Sequence, residues 1–316
     1  MKSIDVSIVI VCMNNLKNLY PCLESIRKYT SVSYECFVVA YLFSSDNLMK
    51  VKKDFPWVKF IESNEIRGFS ENNNLALRQA KGKYCFVVND DTEMKMDVIT
   101  SLLQAFKILP TNTCIVSPQI IVGGKQFKLL GKPKYNFYSL FLNNIGLGQW
   151  LHNRSKYTNK NGVFQTFNIS GAAFLIKTNI FKEVGWFDEK YFFCPEDIAL
   201  STQLNKMGYG IYVNSKAIIY HYSGGTWSST ITATKPAAVK GEYMFYCNSN
   251  VAKRILFIIF FSCIHLAKTI YWMTFCINKN INKSKIMKEA NLNAIRALFS
   301  ISTPKELFIK YYKKNN

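Results

Sequence analysis

From residue 5 to about residue 118, short β-branched apolar runs alternate with amphipathic segments, and no other feature restricts the fold as strongly. Val6 to Val11 is almost continuously apolar. Leu19 to Ile26 has helical spacing, Cys36 to Ala40 reads as a second strand and Val58 to Ile61 as a third. Strands without polar alternation are covered on both faces, and parallel neighbours need helical crossovers, so the rhythm predicts an α/β fold with a Rossmann-like, mostly parallel sheet flanked by helices. Ser70 is placed to cap a helix running through Leu75, Leu77 and Ala80, ended by Lys81-Gly82. The strand Tyr84 to Val88 then delivers Asn89, Asp90 and Asp91 to the sheet edge where open α/β sheets bind ligands.

After Pro118 the periodicity weakens, and residues 119–166 read as an irregular segment that shapes or covers a pocket. Order returns with the strand-like run NISGAAFLIKT, residues 168–178. The expected domains are one over residues 1–230, dividing into halves 1–118 and 119–230, and a helical, basic, membrane-associating region over 231–316.

The 316 residues are 49% hydrophobic, enough to bury one large core or two modest ones. Nine cysteines lie scattered without a CxxC pair, which fits reduced thiols packed as small hydrophobes. In MKSIDVSIVIVCMNN, Asp5 interrupts the start of the apolar run and no cleavage site follows, so a signal peptide is not expected. The formal net charge of +20 favours an anionic partner. Beyond residue 278, Lys279, Lys283, Lys285, Lys288, Arg296, Lys305, Lys310, Lys313 and Lys314 face only Glu289 and Glu306. These cations cluster beside an apolar segment with no recognition motif among them, so an anionic lipid surface is the expected partner and nucleic acid is not.

That apolar segment, Ile255 to Ile277, is long enough to span a bilayer, which takes roughly 20 residues. Ser262, His265, Lys268 and Thr269 nevertheless recur at helical spacing, and a mid-span lysine costs about 2.5–3.5 kcal/mol. An amphipathic helix lying in the membrane interface, flanked by Lys253 and Arg254, is the favoured reading; a spanning helix or a packed contact are the others. The location that follows is cytoplasmic, peripheral on the inner face of the cell membrane.

Asp90 and Asp91 fit two descriptions. They suit an Asx turn or a cap before a helix from Met96 to Leu103. They also suit a site in which Asp91 coordinates Mg²⁺ or Mn²⁺ that holds a diphosphate, since these ions take oxygen ligands and often bind through one or two carboxylates plus phosphate. Glu196-Asp197 after Pro195 likewise suits a helix N-terminus.

Two long strings carry a family resemblance. NEIRGFSENNNLALRQAKGKYCFVVNDDTEM (residues 64–94) and SGAAFLIKTNIFKEVGWFDEKYFFCPEDIALSTQLNKMGYGIYVNSKAIIYHYSGG resemble the inverting glycosyltransferases of family 2, which have the GT-A fold. The shared elements, in order, are Asn-x-x-Gly-Phe, an Asn-rich helix start, a DxD-like strand end, Gly-Trp-Phe-Asp-Glu, a Glu-Asp pair and a late His. Within that family the rhamnosyltransferase-like subgroup of bacterial surface polysaccharide synthesis is the nearest in flavour. The resemblance implies a nucleotide-sugar donor, a glycan or lipid-linked acceptor and Mg²⁺ or Mn²⁺, and it makes residues 1–230 a catalytic domain with a nucleotide-sugar half, 1–118, and an acceptor and catalytic half, 119–230. It puts Asp91 at the metal and donor diphosphate, with Asp90 or Asn89 beside it. Asp197, with Glu196, falls at the catalytic base, and His221 at the diphosphate or metal. Asn64, Arg67, Gly68 and Asn72 fall in the donor loop, where Gly permits close approach, and Gly171 and Ala172 lie against donor and acceptor.

The chain departs from the family in two places. Where the family carries a base-contacting Asp after its second strand, Val39-Ala40-Tyr41 stands here, so base recognition passes to Asn14 or to backbone groups. Two positions after Asp197 the family often has another Asp, and here it is Ala199. No Gln-x-x-Arg-Trp motif of processive synthases occurs, which implies addition of a single sugar. A catalytically degenerate module that holds a glycan or a partner is the alternative raised by Ala40 and Ala199. Nucleotidyl transfer lacks its phosphate loop.

Overall fold

The computed structural model describes residues 4–123, 131–148, 157, 160–222, 230–248, 250–274 and 280–315. Ser223-Gly224-Gly225, Lys279 and residues 275–277 of the apolar segment lie outside the described residues. The chain forms two compact units, the first comprising Met1–Lys134, Leu151–Asp188 and Asp197–Ser223, the second Tyr135–Trp150, Glu189–Glu196 and Gly224–Asn316.

The first unit is built on one sheet. Its strands are β1 (Val6–Met13), β2 (Tyr34–Tyr41), β3 (Val58–Ser63), β4 (Tyr84–Val88), β5 (Thr92–Met94), β6 (Thr113–Val122), β7 (Val163–Thr166), β8 (Ala173–Lys177) and β9 (Gly210–His221). They lie in the order β3-β2-β1-β4-β8-β6-β9-β5, with β7 against β9. Strands β3, β2, β1 and β4 are mutually parallel, as the apolar runs predict. Strand β8 enters antiparallel between β4 and β6, and β5 and β7 also run antiparallel to β9, so the second half of the sheet is mixed. Helices α1 (Leu16–Tyr29), α2 (Ser45–Asp54), α3 (Phe69–Leu77), α4 (Val98–Ile108), α6 (Thr178–Glu183) and α7 (Glu196–Lys206) belong to this unit, except that Glu196, the first residue of α7, falls in the second.

Burial explains the uninterrupted runs. Ile8, Ile10, Leu19, Leu23 and Phe86 pack on one face of the sheet, while Val9, Val39, Val87, Phe174 and Phe181 pack on the other. Each such side chain contributes about 1.5–3 kcal/mol. A buried polar network sets the entry of β4. The Glu35 carboxylate accepts from Ser7 Oγ at 2.7 Å and from the Lys81 amide at 2.8 Å, and pairs with Lys59 at 2.7 Å. Gly82 completes it, because a Cβ there would lie 2.5 Å from the Ser7 nitrogen.

Three local expectations change. Helix α3 is capped at Gly68 rather than Ser70, because the Glu71 carboxylate turns back to accept from the Gly68 amide at 2.9 Å. Asp90 and Asp91 do not cap α4; Asp97 does, accepting from Thr100 N at 3.0 Å, and β5 occupies the intervening residues. Residues 119–166 are more ordered than their composition implies: β6 runs to Val122, α5 (Phe137–Asn144) follows, and β7 closes the segment. All eight described cysteines are free thiols.

The second unit is helical, with α5, α8 (Ile231–Cys247), α9 (Val251–Thr274), α10 (Ile281–Leu298) and α11 (Pro304–Asn315). Leu140, Val239, Tyr246, Phe257, Phe261, Ala294 and Leu298 form its core, with Phe257 and Phe261 stacked at 4.0 Å. Ala290, Ala294 and Ala297 are fully buried on α10, where small side chains let a neighbouring helix approach closely. Helix α9 is the one described helix long and apolar enough to cross a membrane. Its polar stripe, however, points inward. His265 and Thr269 are each 4% exposed, whereas Ile255, Leu256, Ile259, Leu266, Ile270 and Met273 on the outer face are about half exposed. An amphipathic helix turning its polar side to water is thus not what forms.

Candidate active site

The C-terminal ends of the parallel strands set the site. Asn14 follows β1, Asn64 and Arg67 follow β3, and Asp90 follows β4, so all four stand at the same sheet edge. Asn14 adopts φ 49°, a left-handed conformation that Asn tolerates. Its side-chain oxygen accepts from Ser44 N at 3.2 Å and Asn47 Nδ2 at 2.9 Å, so it braces the start of α2.

Asp91 and His221 are brought together by strand pairing. Thr92 lies opposite His221 in the β5–β9 ladder, and the Tyr222 amide donates to the Asp91 carbonyl at 2.9 Å. His221 Nε2 then stands 3.0 Å from Asp91 Oδ1, with the two side chains 17% and 11% exposed. Asp90 sits deeper. Burial pushes its carboxyl up to about 7, the Cys12 thiol hydrogen-bonds to it and works in the opposite direction, and the Asp91 charge adds to the rise.

Asp197, the second residue of α7, is fixed by two backbone donors. Ile198 N donates to Oδ1 at 2.8 Å and Gly171 N to Oδ2 at 3.2 Å. Ser201 ties the arrangement, donating to the Asp197 carbonyl at 2.7 Å while accepting from Ile169 N at 3.2 Å. Each carboxylate oxygen keeps a free acceptor position. Glu196 is 8% exposed, and its Oε2 accepts from the Cys194 amide at 2.6 Å.

The metal-side and base-side groups meet through neighbouring strands. Val88 pairs with Ala173 across β4 and β8, and Asn89 N donates to the Ala172 carbonyl at 3.0 Å. Asp90 and Gly171 are therefore the next residues outward on adjacent strands, whose spacing is about 5 Å. Asp91 follows the first, and Asp197 is hydrogen-bonded to the second. The acids near residue 90 and Asp197 share one edge of one unit.

The donor loop is held from within. Arg67 reaches Ser63 Oγ at 3.1 Å and Glu65 at 2.7 Å, and remains 25% exposed. Asn72 is 1% exposed, accepting from Ser63 Oγ at 2.7 Å and donating to the Arg67 carbonyl at 3.2 Å, so it shapes the loop. Gly68 is buried at the start of α3, and Asn64 is exposed. Sequence reasoning missed Cys12, Ser201 and Gly171's amide as a partner of Asp197. The spacing of Asp197 and Ser201, one helical turn apart, was the available signal.

Among the described residues no three His, Cys, Asp or Glu side chains converge on one point. Asp91 and His221 supply one oxygen and one nitrogen, a donor pair that fits a divalent ion whose remaining ligands are phosphate oxygens and water.

The family model for glycosyl transferase family 2 matches residues 7–185. A poly-beta-1,6-N-acetyl-D-glucosamine synthase of Staphylococcus epidermidis is 25% identical over 234 residues, 72% of this chain and 53% of that protein. An N-acetylglucosaminyl-diphospho-decaprenol L-rhamnosyltransferase of Mycobacterium tuberculosis is 37% identical over 59 residues, 18% of this chain and 19% of the relative. The chain thus spans about half the length of the first relative and a fifth of the second. Among solved structures, GalNAc-T7 with UDP, GalNAc and Mn²⁺ aligns with TM-score 0.55 at 16% identity, covering 75% of this chain and 51% of that one. The mannosyltransferase PcManGT of Pyrobaculum calidifontis, with GDP-Man and Mn²⁺, aligns at 0.54 and 13% identity, covering 98% and 79%. Both likenesses establish the fold as GT-A-like. With a family match running from β1 to the turn after α6, more than half of its length, the chain belongs to glycosyl transferase family 2.

Proposed function

We propose that the chain moves a single sugar, with inversion, from a nucleotide-diphosphate sugar to a lipid-linked glycan in bacterial surface polysaccharide synthesis, working on the inner face of the cell membrane. The observation that carries the reading is the shared sheet edge, where Asn89 N meets the Ala172 carbonyl and the next residue, Gly171, meets Asp197. Asp197 is the general base: it takes the acceptor hydroxyl proton as the acceptor oxygen attacks the anomeric carbon from the face opposite the diphosphate. The bond from that carbon to the diphosphate oxygen breaks, and its electron pair leaves with the nucleotide. The Gly171 and Ile198 amides hold the Asp197 oxygens in place during this step.

Asp91 and His221 would hold a divalent cation, and its positive charge would offset that of the departing diphosphate. Mn²⁺ suits this pair better than Mg²⁺, because an imidazole nitrogen is a poor ligand for the harder ion. The UDP and GDP-Man bound with Mn²⁺ in the two solved neighbours support a nucleotide-sugar donor, and the rhamnosyltransferase relative, which acts on a diphospho-decaprenol, supports a diphospho-lipid acceptor. The subgroup resemblance supports a deoxyhexose or hexose as the sugar moved.

The test is a panel of nucleotide sugars with Mn²⁺ or Mg²⁺, scored for release of nucleotide by the parent and by Asp197→Asn. Release by the parent with one donor, lost in the variant, is the expected result. Equal release by parent and variant would take the base role away from Asp197, and no release by the parent with any donor would replace this reading with a binding module.

A further inference from the structure

The second unit contains a charged cluster that the transfer reaction does not use. Helices α8, α9 and α10 bring Lys235, His265, Lys268 and Asn291 together. Asn291 Nδ2 donates to the Met287 carbonyl at 2.7 Å, which leaves its Oδ1 to accept from Lys235 Nζ at 3.1 Å and from His265 Nδ1 at 2.9 Å. His265 Nδ1 therefore carries the hydrogen. The opposite ring nitrogen, Nε2, is buried without a hydrogen-bond partner in a residue only 4% exposed. An orphaned polar atom at such burial costs about 1–3 kcal/mol unless something meets it.

The charges around it do not balance. Lys235 and Lys268 repel each other, and burial together with that repulsion lowers Lys235 to about 8. Lys268 is lowered by burial and supported only by Glu242, whose own carboxyl burial raises to about 7. Burial lowers His265 to about 4, with Asn291 working against it and both lysines reinforcing it. Two lysines and a histidine with one opposing carboxyl, its acidity weakened by burial, leave a net positive, partly desolvated cluster. A well-packed apolar interior would be more stable than this arrangement. An anion would balance these charges. The same helix, α9, presents Leu266, Ile270 and Met273 about half exposed, a face that an apolar chain attached to that anion would cover.

We propose that Lys235, Lys268 and His265 Nε2 bind the diphosphate head of a long-chain lipid whose hydrocarbon lies along the exposed face of α9. The lysines donate to phosphate oxygens, and His265 takes one proton from solvent on binding so that Nε2 donates a third hydrogen bond. This rests on the reading that the acceptor is lipid-linked, and the site is separate from the Asp91–His221 pair.

The intact chain, in EDTA so that no cation bridges a diphosphate to Asp91, is titrated with farnesyl diphosphate in neutral detergent, with inorganic pyrophosphate and with farnesol. Farnesyl diphosphate binds at least tenfold more tightly than either of the others. Lys235→Gln with Lys268→Gln weakens it tenfold or more and leaves farnesol unchanged, whereas Asp91→Asn binds as the parent does. Should the double variant fail to fold, the parent decides: the chain has only three histidines, and the His265 imidazole signals shift on adding farnesyl diphosphate. Unaltered binding by the double variant, an unmoved His265, or loss of binding in Asp91→Asn overturns the site. Equal binding of pyrophosphate reduces it to an ion site, and equal binding of farnesol to an apolar groove; either overturns the lipid-diphosphate assignment. Because neither donor nor turnover is involved, these failures are distinct from a failure of the transferase reading, which Asp197→Asn tests.

Discussion

The two units of this chain are built in opposite senses. In the sheet unit, apolar side chains fill both faces of the sheet and polar groups collect at one edge, where Asp90, Asp91, His221 and Asp197 stand. In the helical unit, His265, Thr269, Asn291 and Asn293 are buried while Ile255, Ile259, Leu266 and Ile270 face outward. The first arrangement is what water selects, because burial of apolar area drives it. The second makes sense beside an apolar phase, where the exposed face costs nothing and polar groups do better inside. One of the points where the chain passes from one unit to the other falls between Glu196 and Asp197.

The largest effect that would sharpen this contrast is expected from Asp197→Asn, which keeps the shape and removes the base. The turnover number falls by about 10²–10⁴-fold while donor affinity is nearly unchanged, measured by steady-state kinetics and donor binding. Loss of donor affinity instead would make Asp197 a binding residue.

Next comes Gly241 on α8, which belongs wholly to the helical unit. A Cβ there would lie 2.3 Å from the carbonyl oxygen of Cys194, so Gly241→Ala displaces the backbone that holds Glu196. A shift of about 1 Å at reacting groups costs on the order of 10²-fold in rate. Turnover in Gly241→Ala is expected to fall by about that factor with donor affinity intact. Unchanged turnover would mean that the helical unit has no say in the chemistry.

A smaller effect is expected from Ile259→Lys with Leu266→Lys on the outer face of α9. Each removed side chain forfeits about 1.5–3 kcal/mol of apolar transfer, so vesicle cosedimentation drops by tenfold or more. Stability of the detergent-free chain changes by only about 0.5 kcal/mol, the ordinary range for surface positions. Leu19→Ala in the sheet unit behaves oppositely, costing about 2–5 kcal/mol of stability, read by denaturant unfolding, with no change in vesicle binding. Equal vesicle binding by the double lysine variant would break the contrast outright.

The smallest effect is in the pH dependence, and it has opposite signs in the two units. Burial of Glu35 opposes its ionisation, but hydrogen bonds from Lys59, Ser7 and the Lys81 amide outweigh it and hold its carboxyl below the usual range. Its contribution is present above the unfolded value, about 4.3, and fades as pH falls through the lower folded value. Burial raises Glu242 to about 7, with Lys268 as the opposing cation. Its folded state holds the proton more tightly, so its contribution is complete below about 4.3 and declines as pH rises toward 7. Denaturant midpoints across pH should therefore lose their acid-side fall in Glu35→Gln and their fall between about 4.5 and 7 in Glu242→Gln. Parallel curves in parent and variants would show both carboxylates to be solvated.

Much of the sheet unit was legible in advance. Strands β1, β2, β3 and β4 follow from continuous apolar runs, and the crossover helices from their spacing. The cap of α4 was misread because Asp90, Asp91 and Asp97 are equally good caps on paper; only the pairing of β5 with β9 takes the first two away. The residues after Pro118 read as irregular, yet β6 runs on to Val122. Here Pro118 sits where the β6–β9 register shifts, so its missing N–H leaves no gap in the ladder. Helix α5 went unnoticed because its apolar face serves the helical unit's core rather than the sheet.

The candidate site divides in the same way. Residue types and their order along the chain pointed to Asp91, Asp197 and His221. Yet nothing in the linear order says that β8 runs back beside β4, and that antiparallel insertion is what puts Gly171, and with it Asp197, one strand away from Asp90. For α9 the sequence determined a polar stripe and an apolar face, since 3.6-residue periodicity is a property of the backbone. Which of the two faces inward was decided by tertiary structure alone, because a stripe turns toward whatever satisfies it. In this fold that is Asn291 and its neighbours on α10 rather than water.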